Sequence, residues 1–204
     1  MLSAIAIVKL HDQLAEAWHS ETGSVDLAQH DDWLAAVARQ HRANFELWHI
    51  EDEARAPGAT EAELAAVKRR VDQTNQRRND LAEDLDRILI EWLQAHGLPK
   101  ADAPLHSESP GLIIDRLSIL ALKIYHTREE AQRPDAPSGH AERNRQRLAI
   151  LEEQRADLAH CLDALWQQTL DGQRRFKLYR QLKMYNDPSL NPAVYRKLVK
   201  EQDQ

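Results

Sequence analysis

Apolar residues recur along this chain at steps of three and four, the period of an amphipathic helix, in several long stretches. The stretch from about Leu2 to His19 predicts a first helix, ended by "SETGS". A second begins at Asp26 or Asp31, both able to cap, and reaches Arg55, where "APGA" stops it. Thr60 with Glu63 makes a capping box for a third helix, which runs to about His96 ahead of Gly97 and Pro99. Ser109 followed by Pro110 opens a fourth, extending to His126 or somewhat beyond. A fifth covers about Ala141 to Leu170 and breaks at Gly172. "QRRFKLYRQLKMY" predicts a sixth, and "NPAVYRKLVKEQ" a short final one. No strand pattern, internal repeat or low-complexity tract interrupts this series. The expectation is all-α: an up-and-down bundle of about five to seven helices. It forms a single domain over 1–204, with the short helix after 187 loosely attached.

The places where the pattern breaks carry more information. On the third helix Leu64, Val67 and Val71 begin an apolar stripe that Leu81, Leu85, Ile88, Leu89 and Trp92 continue. Between them the same face carries Thr74, Asn75 and Arg78. On the second helix the stripe of Trp33, Leu34, Val37, Phe45 and Trp48 runs on into Asp52 and Arg55, with His49 at its edge and Glu51 on its flank. The fourth helix, "GLIIDRLSILALKIYH", is apolar almost all round, which predicts a buried central element around 111–126. Yet one side of it holds Asp115, Ser118 and His126, and further round Arg116 and Lys123. Charges on a helix built for burial are costly unless paired or used.

If these groups converge, the cations Arg55, Arg78, Arg116 and Lys123 outnumber the anions Asp52 and Asp115. Such a pocket suits a phosphate or carboxylate, which arginine forks bind well. The competing reading is that buried Asp–Arg pairs fix helix register, with Asn75 satisfying a neighbour.

Composition narrows the field. The chain of 204 residues carries a net charge of −6, which argues against a nucleic-acid partner but leaves room for a local basic pocket. Its single cysteine, Cys161, excludes an intramolecular disulfide framework and fits a reducing compartment. Cys161 lies near the stripe of its helix and is expected to be a small core residue. No segment reaches the roughly 18 apolar residues of a membrane span. "MLSAIAIVKLHDQLAEAW" lacks a basic n-region and passes straight into amphipathic helix, so a cytoplasmic location is expected.

Metal chemistry has two candidates. Glu16-x-x-His19 and Glu46-x-x-His49 have the spacing of di-metal carboxylate bundles. Glu46 and His49 turn away from the core stripe, however, and Asp157-x-x-His160 faces solvent, so a di-iron site is disfavoured. Glu51, Asp52 and Asp115 are the better set, for Mg²⁺ bridging phosphates as in all-helical nucleotide pyrophosphatases. Asn75 and Asn79 stand where that chemistry would want further carboxylates. The chain has no Gly-rich phosphate loop, nucleophile elbow or zinc spacing. In the tail, "FKLYRQLKMYNDPSLNP" reads first as an ordinary amphipathic helix with snorkelling cations, with Lys183 and Tyr185 as pocket cover in the alternative.

Four blocks, "LWHIEDEAR", "VKRRVDQTNQRRNDLAEDLD", "SESPGLIIDRLSILALKIYH" and "YRQLKMYNDPSLNPAVY", together resemble a bacterial family of helical proteins catalogued as a domain of unknown function. "SESPG" departs slightly from the "TESP" form of some members, without consequence for the fold. The resemblance implies a helical fold and no assigned catalytic residues. It also implies a setting near glycosyltransferases of cell-envelope polysaccharide synthesis, which makes a phosphorylated or nucleotide-linked sugar a sensible ligand. In the first reading Arg55, Arg78 and Arg116 hold the anion, Lys123 and His126 add contacts and Asn75 orients a neutral group. Asp52, Asp115 or His49 is then the acid, base or metal contact. In the second the chain is a non-catalytic scaffold partnering a glycosyltransferase. A Mg²⁺-dependent phosphohydrolase is the third.

Overall fold

The structure, a computed structural model, describes residues 2–20, 31–182 and 189–192. Within them five helices form a bundle: α1 (Ala4–His19), α2 (Asp32–Glu53), α3 (Glu61–Ala95), α4 (Pro110–Gln132) and α5 (His140–Leu170). Local caps set most of the boundaries. Asp31 accepts from Leu34 N at 2.8 Å to start α2, and Thr60 and Glu63 form the expected capping box of α3. Asp163 of α5 accepts from Ala4 N at 2.8 Å, which ties the start of α1 to the opposite end of the chain.

The start of α4 is capped from outside. Ser109 occupies the N-cap position but makes no cap bond of its own; its hydroxyl donates to the buried carboxylate of Asp86 on α3. Asp86 also accepts from Gly111 N at 2.7 Å, so a side chain of one helix serves the free N–H groups of another. Burial pushes the Asp86 carboxyl up to about 6, against the opposing pull of these two donors. The approach is so close that a Cβ on Gly111 would lie 2.2 Å from the Ala82 carbonyl oxygen.

As expected, α4 is the central element: it packs against all four other helices. Ile113, Ile114 and Leu117 share a core with Ile7, Leu14, Val37, Leu85, Leu89 and Leu162 of the surrounding helices, and Leu122 and Ile124 are likewise essentially without exposure. Each such side chain contributes about 1.5–3 kcal/mol on burial. The long α3 bridges two neighbours. Arg70 and Arg77 reach Glu53 and Glu46 of α2, while Arg78 and Asp86 face α4.

Two expectations fail. The sixth helix is not present over 173–182, which carry no helical turn. There Arg175 pairs with the loop before α4: its N–H donates to Pro104 O at 3.1 Å, its carbonyl accepts from His106 N at 2.7 Å, and its Nε donates to Ala103 O at 2.8 Å. Phe176 is buried beside these contacts, so tertiary bonds replace the helical ladder. The rest of that segment and nearly all of the final short helix lie outside the described residues. Cys161, expected in the core, is exposed, because the buried stripe of α5 runs through Leu158, Leu162, Leu165 and Thr169 beside it.

Candidate functional site

Helices α1, α2 and α4 touch one another, and their facing residues stack in three layers, each one helical turn (four residues) further along. In the first layer His11 stacks on His41 with ring centroids 4.5 Å apart, and His41 Nδ1 is 2.7 Å from Ser118 Oγ. In the second, Ala15, Phe45 and Leu122 form a small apolar cluster. In the third, His19, His49 and His126 converge. One ring nitrogen from each lies within 4.8 Å of the others. Polar residues thus appear on both sides of a dry layer.

The first layer belongs to a buried polar network, in which His41 Nε2, Gln40 Oε1 and both His11 nitrogens have no partner. Asp115 Oδ1 accepts from Gln40 Nε2 at 2.6 Å and from Asn44 Nδ2 at 2.9 Å, and Asn44 Nδ2 also reaches Ser118 Oγ at 2.9 Å. All five of Gln40, His41, Asn44, Asp115 and Ser118 are buried. Burial pushes His41 down to about 3 and holds His11 well below the ordinary histidine value. Both rings are therefore neutral internal groups.

The third layer sits where α1 ends. His19 Nδ1 is 2.6 Å from Ala15 O, and its ring stacks on Tyr125 at 4.1 Å with Phe45 edge-on at 4.8 Å. His126 Nδ1 is 2.9 Å from Glu129 Oε2, and its ring stacks on Trp48 at 4.7 Å. In each ring the Nδ1 has a partner while the Nε2 is buried with none. Burial, reinforced by His19 and the other ring, lowers the pKa of His49; burial likewise lowers His126, opposed by its bond to Glu129. The charge of Asp52 works against both shifts.

Adjoining this layer is a pocket of about 360 Å³ between α2, α3 and α4. Its floor is Leu47, Trp48, Ile119 and Leu122, and its polar wall is Asn44, Glu51, Asp52, Arg55 and Arg78. Trp48 belongs to both, stacked on His126 and lining the pocket. Asp52 and Arg55, expected inward, are exposed at its rim, where Arg55 pairs with Glu51 at 3.1 Å. Arg78 is deeper. Its Nε lies 3.6 Å from Asp115 Oδ1, an ion-pair contact too long for a hydrogen bond, and that Nε is buried with no partner.

Other expected residues go elsewhere. Asn75 is half-buried on α3. Arg116 and Lys123 are exposed and line a separate open groove of about 760 Å³ between α4 and α5, joined to the first pocket only through Ile119. Arg116 is already matched there by Glu108 at 2.8 and 3.0 Å, and none of the buried unpartnered polar atoms belongs to this groove. The predicted surplus of cations therefore does not assemble: the smaller pocket is walled by two arginines and two carboxylates. Glu51, Asp52 and Asp115 do not gather as metal ligands; among the described residues the three-group cluster is histidine. Lys183 and Tyr185 lie outside the described residues. The spacing argument missed Gln40, His41, Asn44, His11 and the role of His19, and it turned His49 away from the centre. The available signal was the eight-residue interval that separates His11 from His19, His41 from His49, and Ser118 from His126.

No helix among the described residues is long and apolar enough to cross a membrane. No curated protein and no solved structure matches the chain. The family of proteins of unknown function DUF4254 matches residues 34–178, a span that holds His49, His126 and the whole pocket wall but not His19. With most of its length matched, the chain belongs to the DUF4254 family.

Proposed function

We propose that the protein binds an anionic small molecule, a phosphorylated or nucleotide-linked sugar, in the pocket between α2, α3 and α4. The carrying observation is Arg78: a half-buried guanidinium whose Nε has no hydrogen-bond partner, at the wall of a pocket with an aromatic floor. Burying a cationic donor without full pairing is costly, and a ligand oxygen would remove that cost. Trp48 and Ile119 offer a flat apolar surface for a sugar or base ring, and Asn44 an amide for a hydroxyl. Asp52 stands at the rim of the same pocket as the acid–base group of the site. A cytoplasmic role in envelope-glycan metabolism is consistent with such a ligand.

One observation favours the scaffold reading for part of the site. Asp115 is engaged by Gln40, Asn44 and Arg78 and acts as an internal register device, so the ligand function rests on Arg78 and the rim. The test is a thermal-shift series with sugar phosphates, nucleotide sugars and neutral sugars. A ligand at a hundred times its Kd stabilises by about 2.7 kcal/mol. The expected result is stabilisation by phosphorylated ligands only, lost in Arg78→Gln and in Trp48→Ala. No shift from any phosphorylated ligand, or an undiminished shift in Arg78→Gln, would refute it.

A further inference from the structure

We propose that His19, His49 and His126 form a mononuclear site for a divalent first-row transition-metal ion of the zinc class. The inference does not depend on what occupies the neighbouring pocket. It rests on three side chains from three different helices that bring one nitrogen each to within 4.8 Å of the others. Three Zn–N bonds of about 2.0–2.1 Å place their nitrogens about 3.4 Å apart, so each ring need move by less than about 1 Å.

The hydrogen bonding selects the ligating atoms. A metal-bound histidine typically gives its second ring N–H to a carbonyl or carboxylate, which fixes the tautomer and the ring's orientation. His19 Nδ1 has the Ala15 carbonyl at 2.6 Å, and His126 Nδ1 has the Glu129 carboxylate at 2.9 Å. With the proton on Nδ1, the lone pair lies on Nε2, and in both rings Nε2 is the buried atom that has no partner. Stacking on Tyr125 and Trp48 holds the two planes, and the Ala15–Phe45–Leu122 layer closes the inner side to water. Neutral imidazoles without oxygen donors suit zinc, cobalt, nickel or copper, not magnesium or calcium. Three protein ligands leave a coordination position open.

The test uses the full chain, stripped with a chelator and titrated with Co²⁺ and then Zn²⁺ in a buffer without phosphorylated compounds. One Co²⁺ per chain with visible ligand-field bands is expected, displaced by one Zn²⁺. Glu129→Gln, which leaves all three rings in place, should weaken binding about 10–100-fold. His49→Ala should weaken it further, while His160→Ala, an exposed histidine on α5, should change nothing. Because an alanine variant could lose its fold, histidine ring-nitrogen NMR of the unaltered chain supplies a second readout: Zn²⁺ should shift the resonances of these three residues. Binding without fixed stoichiometry, binding that survives His49→Ala in a folded protein, or shifts at other histidines would each overturn the site. Since no pocket ligand is present, its failure would leave the anion proposal intact, and the reverse holds for the thermal-shift series.

Discussion

Truncating Asp115 to alanine tests whether the buried network is structural. Its Oδ1 accepts from Gln40 at 2.6 Å and Asn44 at 2.9 Å, and Arg78 lies at 3.6 Å. Removing the carboxylate leaves two amide donors without that acceptor and a guanidinium without its counter-charge. A hydrogen bond to a charged group contributes about 1.5–3 kcal/mol, and breaking one side of a buried ion pair typically costs about 3–5 kcal/mol. Asn44 keeps Ser118 as a second partner, and Arg78 is a quarter exposed and can reach water, so the lower half of that range applies, about 3–4 kcal/mol. In a domain of this size each kcal/mol moves the Tm by about 2–4 °C, which gives a drop of roughly 6–16 °C. Asp115→Asn retains an acceptor at the same place and should cost about 1–2 kcal/mol. Urea denaturation with circular dichroism measures both. An alanine variant within about 0.5 kcal/mol of the parent would show that the network does not hold the helices together. Equal losses for alanine and asparagine would mean that the charge matters and the acceptor geometry does not.

Three further outcomes are expected. Gly111→Ala should destabilise at or beyond the usual 1–3 kcal/mol of overpacking, because its Cβ meets the Ala82 backbone carbonyl at 2.2 Å and only a separation of α3 from α4 relieves it; a neutral substitution in urea denaturation would refute the close approach. Stability should fall as pH drops below the ordinary histidine value of 6.5. Between that value and about 3 the unfolded chain binds a proton at His41 that the folded chain refuses. His11 acts in the same direction. Asp86 acts oppositely: raised to about 6 from 3.8, it is protonated in the folded chain first and gains stability as pH falls through that window. The lowered His49 and His126 act with His11 and His41, so four histidines oppose one carboxyl and a net loss is expected on the acid side. His41→Asn should reduce its slope by about one proton, or about 1.4 kcal/mol per pH unit, in urea titrations at several pH values; an unchanged slope would refute the neutral buried ring. Thr60→Ala should cost about 1 kcal/mol through loss of the capping box, read from the same denaturation curves.

What the sequence revealed, and what it hid, divides along the range of the interactions involved. Helix starts at Asp31 and Thr60 were legible because a cap involves residues three or four apart, and that of α4 because Pro110 marks a first turn, although its cap comes from Asp86. The buried character of α4 followed from its composition. Residues 173–182 were misread because their partners, Ala103 to His106, lie some seventy residues away, and local propensity carries no trace of them. The inward direction of Asp115 was correct, since a helical wheel reports direction. It does not report depth: Asp52 and Arg55 continue the stripe of α2 past the point where other helices cover it, and so reach the rim and remain exposed. Arg116 and Lys123, seven residues apart, share a face of α4 that looks into the open groove shared with α5, which no wheel of α4 alone could separate from the face of Asp115.

The histidine layer was hidden for a different reason. Each of its members, taken on its own helix, is an edge residue beside an aromatic, and the Glu-x-x-His spacing lies within single helices while the cross-helix metal set expected was Glu51, Asp52 and Asp115. The convergence is between helices, one nitrogen from each of α1, α2 and α4. It becomes legible only when the eight-residue intervals are aligned across three helices known to touch. The aligned layers also differ in their surroundings. In the inner layer His41 Nδ1 pairs with Ser118, which connects to Asp115, while His41 Nε2 and both nitrogens of His11 are buried without partners, closed off from solvent. In the outer layer the Nδ1 atoms of His19 and His126 are tied back to the protein, their Nε2 atoms are left over, and Trp48 carries the same surface into a pocket with Arg78 on its wall. The apolar step of Ala15, Phe45 and Leu122 separates the buried network around Asp115 from the histidines, which adjoin the pocket that Trp48 lines.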